Sequence, residues 1–336
     1  MANIKDIAKH ANVSIATVSR ALSQPEIVSA KTMARIEKAI AELDYEPNHL
    51  AAGLRRQRSD NILVAVPSIF NPFTSAFVQG IENIARANKM RVLLGITEGD
   101  PALLDKFVAM IAGKQADGLI LLETNLPSVV RRGDMPVGKM PPIVAACEYP
   151  SDLNLPRVNI DSVEAAALVV RHLAELGHRR IAAICGPSKQ NMTRERVDGF
   201  RLGLARAQLD PASAPVLDGD FTLASGRAAA LRLLDENPDI TAIACHNDEM
   251  AIGALTALRE RGLSAPADIS IVGFDNLRFA EYSAPPLTTI DVPTVDIGES
   301  AMRLMLDTLR TPGVPPREVI LPHSLVVRES SGLPRS

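Results

Sequence analysis

From residue 62 onward the chain alternates short, near-continuous apolar runs with helix-length segments, and this alternation constrains the fold more than any other feature. The first series reads "ILVAVPS" (62–68), "RVLLGIT" (91–97), "GLILLE" (118–123) and "PIVAACE" (142–148). The second reads "RIAAICGP" (180–187), "PVLDGDF" (215–221), "AIACHND" (242–248) and "ISIVGFD" (269–275). Helices expected over 74–88, 162–176, 194–207 and 249–262 separate such runs. Strands that are apolar on both faces belong to parallel sheets covered by their crossover helices. Two series of four therefore predict two doubly wound lobes, with a seam near Val158–Asp161. "PLTTIDVP" (286–293) and "EVILPHSLVVRES" (318–330) follow both series and are expected to cross back between the lobes. The predicted division is 61–161 plus 292–320 for the first lobe and 162–291 plus 321–331 for the second.

The first sixty residues have a different rhythm. Asn3 is a candidate N-cap for 4–11, where Ile4, Ile7, Ala8 and Ala11 recur at helical spacing. Ser14 can cap a helix over 15–22, with Val18, Ala21 and Leu22 as its apolar stripe. Ser29 can cap a third over 30–43, with Met33, Ile36, Ala39, Ile40 and Leu43 facing inward. The head is assigned to 1–46 and a hinge helix with its linker to 47–60. Residues 1–59 hold nine Lys and Arg against six Asp and Glu, a net of +3, so the remainder carries −6 of the chain's net −3. A basic module on an acidic body is the charge pattern of a nucleic-acid reader.

The polar face of 15–22 sharpens that reading. A helix–turn–helix places the start of its second helix in the major groove. There Thr17 and Ser19 can reach phosphates, and Arg20 a phosphate or the acceptor edge of guanine. Ile15 and Ala16 at the tip can touch a thymine methyl. The competing reading of this stretch is an ordinary amphipathic helix with a solvated face.

Composition limits the remaining classes. Apolar residues make up 46% of the 336, enough for a large core, while aromatics are 3% with no Trp. Cys147, Cys185 and Cys245 are scattered and form no CxxC, so neither a disulfide frame nor a zinc site is expected, and a reducing cytoplasm is. No secretory leader and no apolar run of membrane-spanning length is read in the sequence. GxGxxG, Walker A, HExxH and GxSxG are missing, so no catalytic residue, cofactor or metal is assigned.

"IKDIAKHANVSIATVSRALSQPEIVSAKTMARIEKAIAELDYEPNHLAAGL" (4–54) resembles the DNA-binding headpiece of the lactose-repressor (LacI) family. The likeness continues in "DGLIL" (117–121), "HLAELGHRRIAAICGP" (172–187), "RVDGF" (196–200), "CHNDEMAIGAL" (245–255), "ISIVGFDN" (269–276) and "PPLTTI" (285–290). It implies a helix-turn-helix headpiece joined to a two-lobed α/β domain of the periplasmic-binding-protein type. Within the family, "VPSIFNPFTSAFVQGIE" (66–82) and "CHNDEMAIGAL" are most like the cytidine-repressor branch.

The resemblance assigns base reading to Ile15, Ala16 and Arg20. It assigns phosphate contacts or capping to Asn3, Ser14, Thr17, Ser19, Ser29, Thr32 and Asn48. Leu54 matches a leucine that wedges into the minor groove and bends the duplex, the alternative being a core leucine. Arg55, Arg56 and Arg58 would lie near phosphates. Ser23 and His49 depart from the Asn and Arg common in the family.

In open parallel sheets ligands sit beyond the carboxyl ends of the strands. Asn71, Phe73, Glu148, Phe221, Asn247, Asp248 and Asp275 all follow strands here. Arg196 matches an effector-gripping arginine, Asp275 an acidic contact and Phe221 a stacking platform. Arg and Asp together suit vicinal hydroxyls, one donating and the other accepting. The alternatives are a turn cap at Asp275 and a surface ion pair at Arg196. Asp248, leading into a helix, is read as an N-cap.

The resulting expectation is a non-enzymatic repressor: a homodimer on a near-palindromic operator, controlled by a nucleoside or a sugar bound between the lobes. Sugar- and cytidine-responsive relatives release DNA on binding ligand and purine-responsive ones do the opposite, so the sign stays open. With no leucine heptad after "RESSGLPRS", a tail-mediated tetramer is not expected. A solute-binding protein would share the body but not the head, and a doubly wound enzyme would need a cofactor fingerprint.

Overall fold

The computed structural model describes residues 2–23, 27–45, 58–123, 125–131, 140–147, 155–313 and 315–335. They divide into two units, Met1–Ser59 and Asp60–Ser336.

The first unit is helical. Helix α1 (Ile4–His10) is capped by Asn3, whose side chain accepts from the N–H groups of Lys5 and Asp6 while Asp6 accepts from Asn3 N–H. This reciprocal arrangement satisfies donors that the first turn leaves open. Asn12, at φ 47°, turns the chain into α2 (Ile15–Ser23), and Ser14 Oγ accepts from Thr17 N–H at 3.1 Å. Helix α3 (Ala30–Glu42) starts on Ser29, which accepts from Thr32 N–H. Ile7, Ala8, Ala11, Val18, Ala21, Ile36 and Ala39 form the core of this unit. Arg35 fastens the α1–α2 turn by donating to the carbonyls of Ala11 and Asn12.

Among the described residues the second unit holds two six-stranded sheets. The first contains β1 (Asn61–Val66), β2 (Arg91–Ile96), β3 (Gly118–Leu121), β4 (Ile143–Ala146) and β5 (Arg157–Ile160), and it is completed by β11 (Glu318–Leu321). Its order is β11-β5-β4-β3-β1-β2, and every pairing is parallel. The second contains β6 (Ile181–Cys185), β7 (Val216–Asp218), β8 (Ala242–Cys245), β9 (Ser270–Asp275), β10 (Thr288–Asp291) and β12 (Ser324–Val326). It is parallel apart from the antiparallel edge strand β12, in the order β12-β10-β9-β8-β6-β7. The chain passes from one sheet to the other three times: after Ile160, at 292–293 and at 322–323. Leu321 pairs with Ile160 and so belongs to the first sheet.

Helices α4 (Pro72–Ala87), α5 (Pro101–Ala112) and α6 (Ser128–Arg131) connect strands of the first sheet. Helices α7 (Ser162–Glu175), α8 (Asn191–Arg206), α9 (Leu223–Glu236) and α10 (Asp248–Glu260) belong to the second half, and α11 (Thr294–Arg310) packs back against α4. Three helix pairs approach at glycine. A Cβ on Gly298 would strike the Phe77 carbonyl, one on Gly199 the Val163 carbonyl, and one on Gly253 the Leu223 carbonyl. Without side chains at these points the backbones close on each other, and the strands below stay sealed from water.

Candidate functional site

The structure separates two groups of candidate residues. In the head, α2 buries Val18 and Ala21 and turns Ile15 (42% exposed), Ala16 and Arg20 outward. Leu22 does not complete the apolar stripe expected of it. It is 38% exposed, because the stripe is narrow enough for Val18 and Ala21 to fill against α1 and α3. Arg20 Nε folds back onto the Ala16 carbonyl at 3.3 Å. Ser14 and Thr17 share a hydroxyl contact of 2.8 Å, as do Ser29 and Thr32 at 2.9 Å, each pair beside a helix start. Helix starts present N–H donors and a positive dipole, which is suited to a phosphate oxygen. Ser19 is half-buried. Asn48, His49, Leu54, Arg55, Arg56 and Glu148 lie outside the described residues, as do residues 47–57 of the hinge and linker expected over 47–60.

The second group gathers at the carboxyl ends of β6, β8 and β9. Arg196, on the second turn of α8, is 3% exposed. Its Nη1 donates to the His246 carbonyl, its Nη2 lies 3.4 Å from Asp275 Oδ1, and its guanidinium sits 3.7 Å from the centroid of the Phe274 ring. A planar cation stacked on an aromatic and fixed by two acceptors is held rigidly. Arg196 Nε has no hydrogen-bond partner among the described residues, nor do Thr193 Oγ1, Gln190 Oε1 and both ring nitrogens of His246. Buried polar atoms ordinarily find partners, so these atoms, Arg196 Nε among them, are candidate contacts for a polar ligand.

Burial governs the acids here. It lifts the Asp275 carboxyl to about 6 even though Arg196 pulls the other way. Asp248 is lifted to about 8, first by burial and then by Asp275. Glu195 and Glu249 are raised for the same first reason. His246 is pushed down to about 3 by burial, with Arg196 adding to the effect.

The expected cap at Asp248 is corrected. Asn247 is the N-cap of α10, accepting from Met250 N–H at 2.8 Å. Asp248 is the first helical residue, and it turns inward to accept from the Thr289 hydroxyl and from Leu277 N–H, both at 2.6 Å. Gly273 makes this possible, because a Cβ there would occupy the space of the Asp248 carboxylate. Asn247 also donates to the Phe221 carbonyl at 2.9 Å. That bond anchors Phe221, at φ 67°, and a Cβ on Gly186 would collide with the Phe221 ring. Asn247 thus orders Phe221 and caps a helix with the groups it was expected to offer a ligand.

Asn71 and Phe73 sit beyond β1 on the first sheet. Asn71 caps α4 by accepting from Phe73 N–H at 2.8 Å, and the Phe73 ring packs on the core. Neither hydrogen-bonds to the Arg196 group among the described residues. Sequence reasoning missed His246 and Phe274 as partners of Arg196. The first acts through its carbonyl, and the second is indistinguishable from core in an apolar strand. Among the described residues no three His, Cys, Asp or Glu side chains group as a metal site, and no helix is long and apolar enough to cross a membrane.

Comparison with known proteins agrees with both halves. Residues 3–48 match the bacterial regulatory proteins of the lacI family, and residues 170–331 match a periplasmic binding protein-like domain. The HTH-type transcriptional repressor CytR of Escherichia coli K12 is 38% identical over 330 residues, covering 98% of this chain and 96% of that one. Catabolite control protein A of Priestia megaterium is 33% identical, with 98% of each chain covered. The solved lac repressor dimer bound to operator and the anti-inducer ONPF superposes with a TM-score of 0.86 at 29% identity, covering 98% of this chain and 99% of that one. The chain therefore belongs to the lacI family of bacterial regulatory proteins, as a DNA-binding transcriptional regulator with a two-lobed ligand-binding body.

Proposed function

We propose that this regulator is a repressor that acts as a homodimer on a near-palindromic operator in the cytoplasm, and that a small polar effector bound between its lobes sets its operator affinity. The observation that carries the reading is the outward face of Ile15, Ala16 and Arg20 on a capped helix, in a chain that matches CytR from end to end. Arg20 is the residue for a guanine edge or a phosphate, and Ile15 and Ala16 are suited to thymine methyls. Asn3, Ser14, Thr17, Ser19, Ser29 and Thr32 are assigned to backbone positioning, together with Asn48 and Arg55, and Leu54 to the minor groove.

In the body, Arg196 and Asp275 are assigned to effector hydroxyls and Phe221 to the face of a base or sugar. Asn71, Phe73, Glu148 and Asn247 are assigned to the border of that site. Asp275 uses Oδ1 on Arg196, which leaves Oδ2 to accept from a ligand. A nucleoside is favoured over a sugar by the resemblance of 66–82 and 245–255 to the cytidine-repressor branch. Solved relatives include complexes with cellobiose and with ribose, which keeps sugars in the test.

The test is fluorescence anisotropy on labelled fragments of the chain's own upstream DNA, with and without the four ribonucleosides, ribose and cellobiose. Retention of one fragment over competitor at modest salt is expected, with one ligand class changing it. Arg196→Ala should abolish the ligand effect and leave operator binding in place. Failure to retain any fragment, with ligands absent or present, refutes the reading.

A further inference from the structure

At the end of β9 the backbone turns to positive φ, which few side-chain-bearing residues adopt: Asp275 has φ 105° and Asn276 φ 51°. Such residues persist where their surroundings over-determine them. Here Asn276 N–H donates to Thr289 Oγ1 at 3.4 Å and Leu277 N–H to Asp248 Oδ2 at 2.6 Å. Thr289 in turn donates to Asp248 Oδ1 at 2.6 Å. The turn that presents Asp275 is therefore pinned from the α10 side.

The Asn276 side chain pins it from the other side. Its Nδ2 donates to Asp291 Oδ1 and its Oδ1 accepts from Arg328 Nη2, both at 2.8 Å. Asp291 ends β10, immediately before the passage at 292–293. Arg328 lies two residues beyond β12, which begins just after the passage at 322–323. Arg328 is itself fixed, donating through Nη1 to the Leu287 carbonyl at 2.7 Å and through its N–H to Thr288 Oγ1 at 2.9 Å. A neutral carboxamide is the group that can donate to a carboxylate and accept from a guanidinium at once.

We propose that Asn276 is a positioning residue for the allosteric response, coupling Asp275 to two of the three inter-lobe passages through Asp291 and Arg328. The inference rests on Asp275 being an effector contact. Rotation of one lobe on the other is absorbed at the three passages, so the end of β10 and the segment after β12 are where it is felt. Asp291 and Arg328 sit at those two places, and the Asn276 amide holds both. A ligand that fixes Asp275 thereby favours one lobe arrangement, and the population shifts by the difference in affinity between arrangements.

The experiment compares the wild type with Asn276→Ala, Asn276→Asp and the double variant Asn276→Asp/Asp291→Asn. The probes are the four ribonucleosides, ribose and cellobiose. Each protein is read for operator anisotropy without ligand, melting shift with ligand, and the ligand-induced ratio of operator affinities. Asn276→Ala is expected to bind operator and ligand as the wild type does, while the ratio collapses at least tenfold toward one. Asn276→Asp should lose the ratio through repulsion from Asp291, and the double variant should recover it by exchanging donor and acceptor.

A wild-type ratio in Asn276→Ala overturns the coupling role and leaves the effector assignment standing. If Asn276→Ala does not fold, a double variant no better than Asn276→Asp overturns it. A wild type that neither melts higher nor changes operator affinity with any probe overturns the effector assignment, and the inference with it.

Discussion

At the residue scale, the buried ionisable groups around Arg196 set opposing pH dependences. Asp248 is held near 8 and His246 near 3, each by burial first. An acid whose folded value exceeds its unfolded value of 3.8 binds extra protons when folded, so its contribution falls as pH rises from about 4 to about 8. A histidine depressed from 6.5 contributes less as pH falls from 6.5 toward 3. Each slope is about 1 kcal/mol per pH unit. Between pH 4 and 6.5 these two cancel, while Asp275, held near 6, adds its own fall from about 4 to 6, and above 6.5 Asp248 acts alone. Urea midpoints of the wild type should therefore fall from pH 4 to 6, level off to 6.5 and fall again toward pH 8. Asp248→Asn should be level from pH 4 to 6 and lose the alkaline fall, and His246→Gln should fall across the whole range, most steeply below pH 6. Parallel curves for the three would refute the assignment of these groups.

At the scale of elements, glycines at the helix crossings decide how closely α9 and α10 sit. Ala exceeds Gly in helix propensity by about 1 kcal/mol, so propensity alone predicts that Gly253→Ala stabilises. The added Cβ would meet the Leu223 carbonyl, and the reciprocal one on Gly226 would meet the Met250 backbone. Overpacking against backbone costs about 1–3 kcal/mol. A net loss is expected for each variant in chemical denaturation, and a gain would mean that the helices slide apart at no cost. This close packing also explains what the sequence makes legible. The strands are readable because a parallel sheet buries both faces, so "ILVAVPS" and "ISIVGFD" declare themselves. Element ends are less readable, because local chemistry moves them. Helix α4 begins at Pro72 rather than 74, because Asn71 caps it and Pro accepts the first turn. Strand β7 stops at Asp218 rather than 221, where Gly219 packs against Met250 and Phe221 turns to positive φ. Arg196 and Asp275 emerged through their resemblance to a family. Phe274 and His246 lie tens of residues from the Arg196 they hold, as Arg328 does from Asn276, and these pairs are made only by the fold.

At the scale of the whole molecule, the proposed regulation is a linkage between two binding events, and linkage is reciprocal. If effector changes operator affinity by a factor, operator must change effector affinity by the same factor. Effector at 100 times its dissociation constant should raise the stability of the body by about 2.7 kcal/mol. The sign of the response separates the two modes of control. For an inducer, saturating operator weakens effector binding; for a corepressor, it strengthens it. The measurement is a calorimetric effector titration with and without a saturating operator duplex, compared with anisotropy of operator binding with and without saturating effector. The two ratios should agree within error in the wild type, and both should approach one in Asn276→Ala. Salt supplies an independent axis. The logarithm of operator affinity should fall linearly with that of salt concentration, because the phosphate contacts assigned to the head displace counterions. The proposed effector site is on the body, to which no phosphate contact is assigned, so effector affinity without DNA should be nearly independent of salt. An effector affinity that tracks salt as steeply as operator binding would place the ligand on the DNA-binding head and overturn the two-site description.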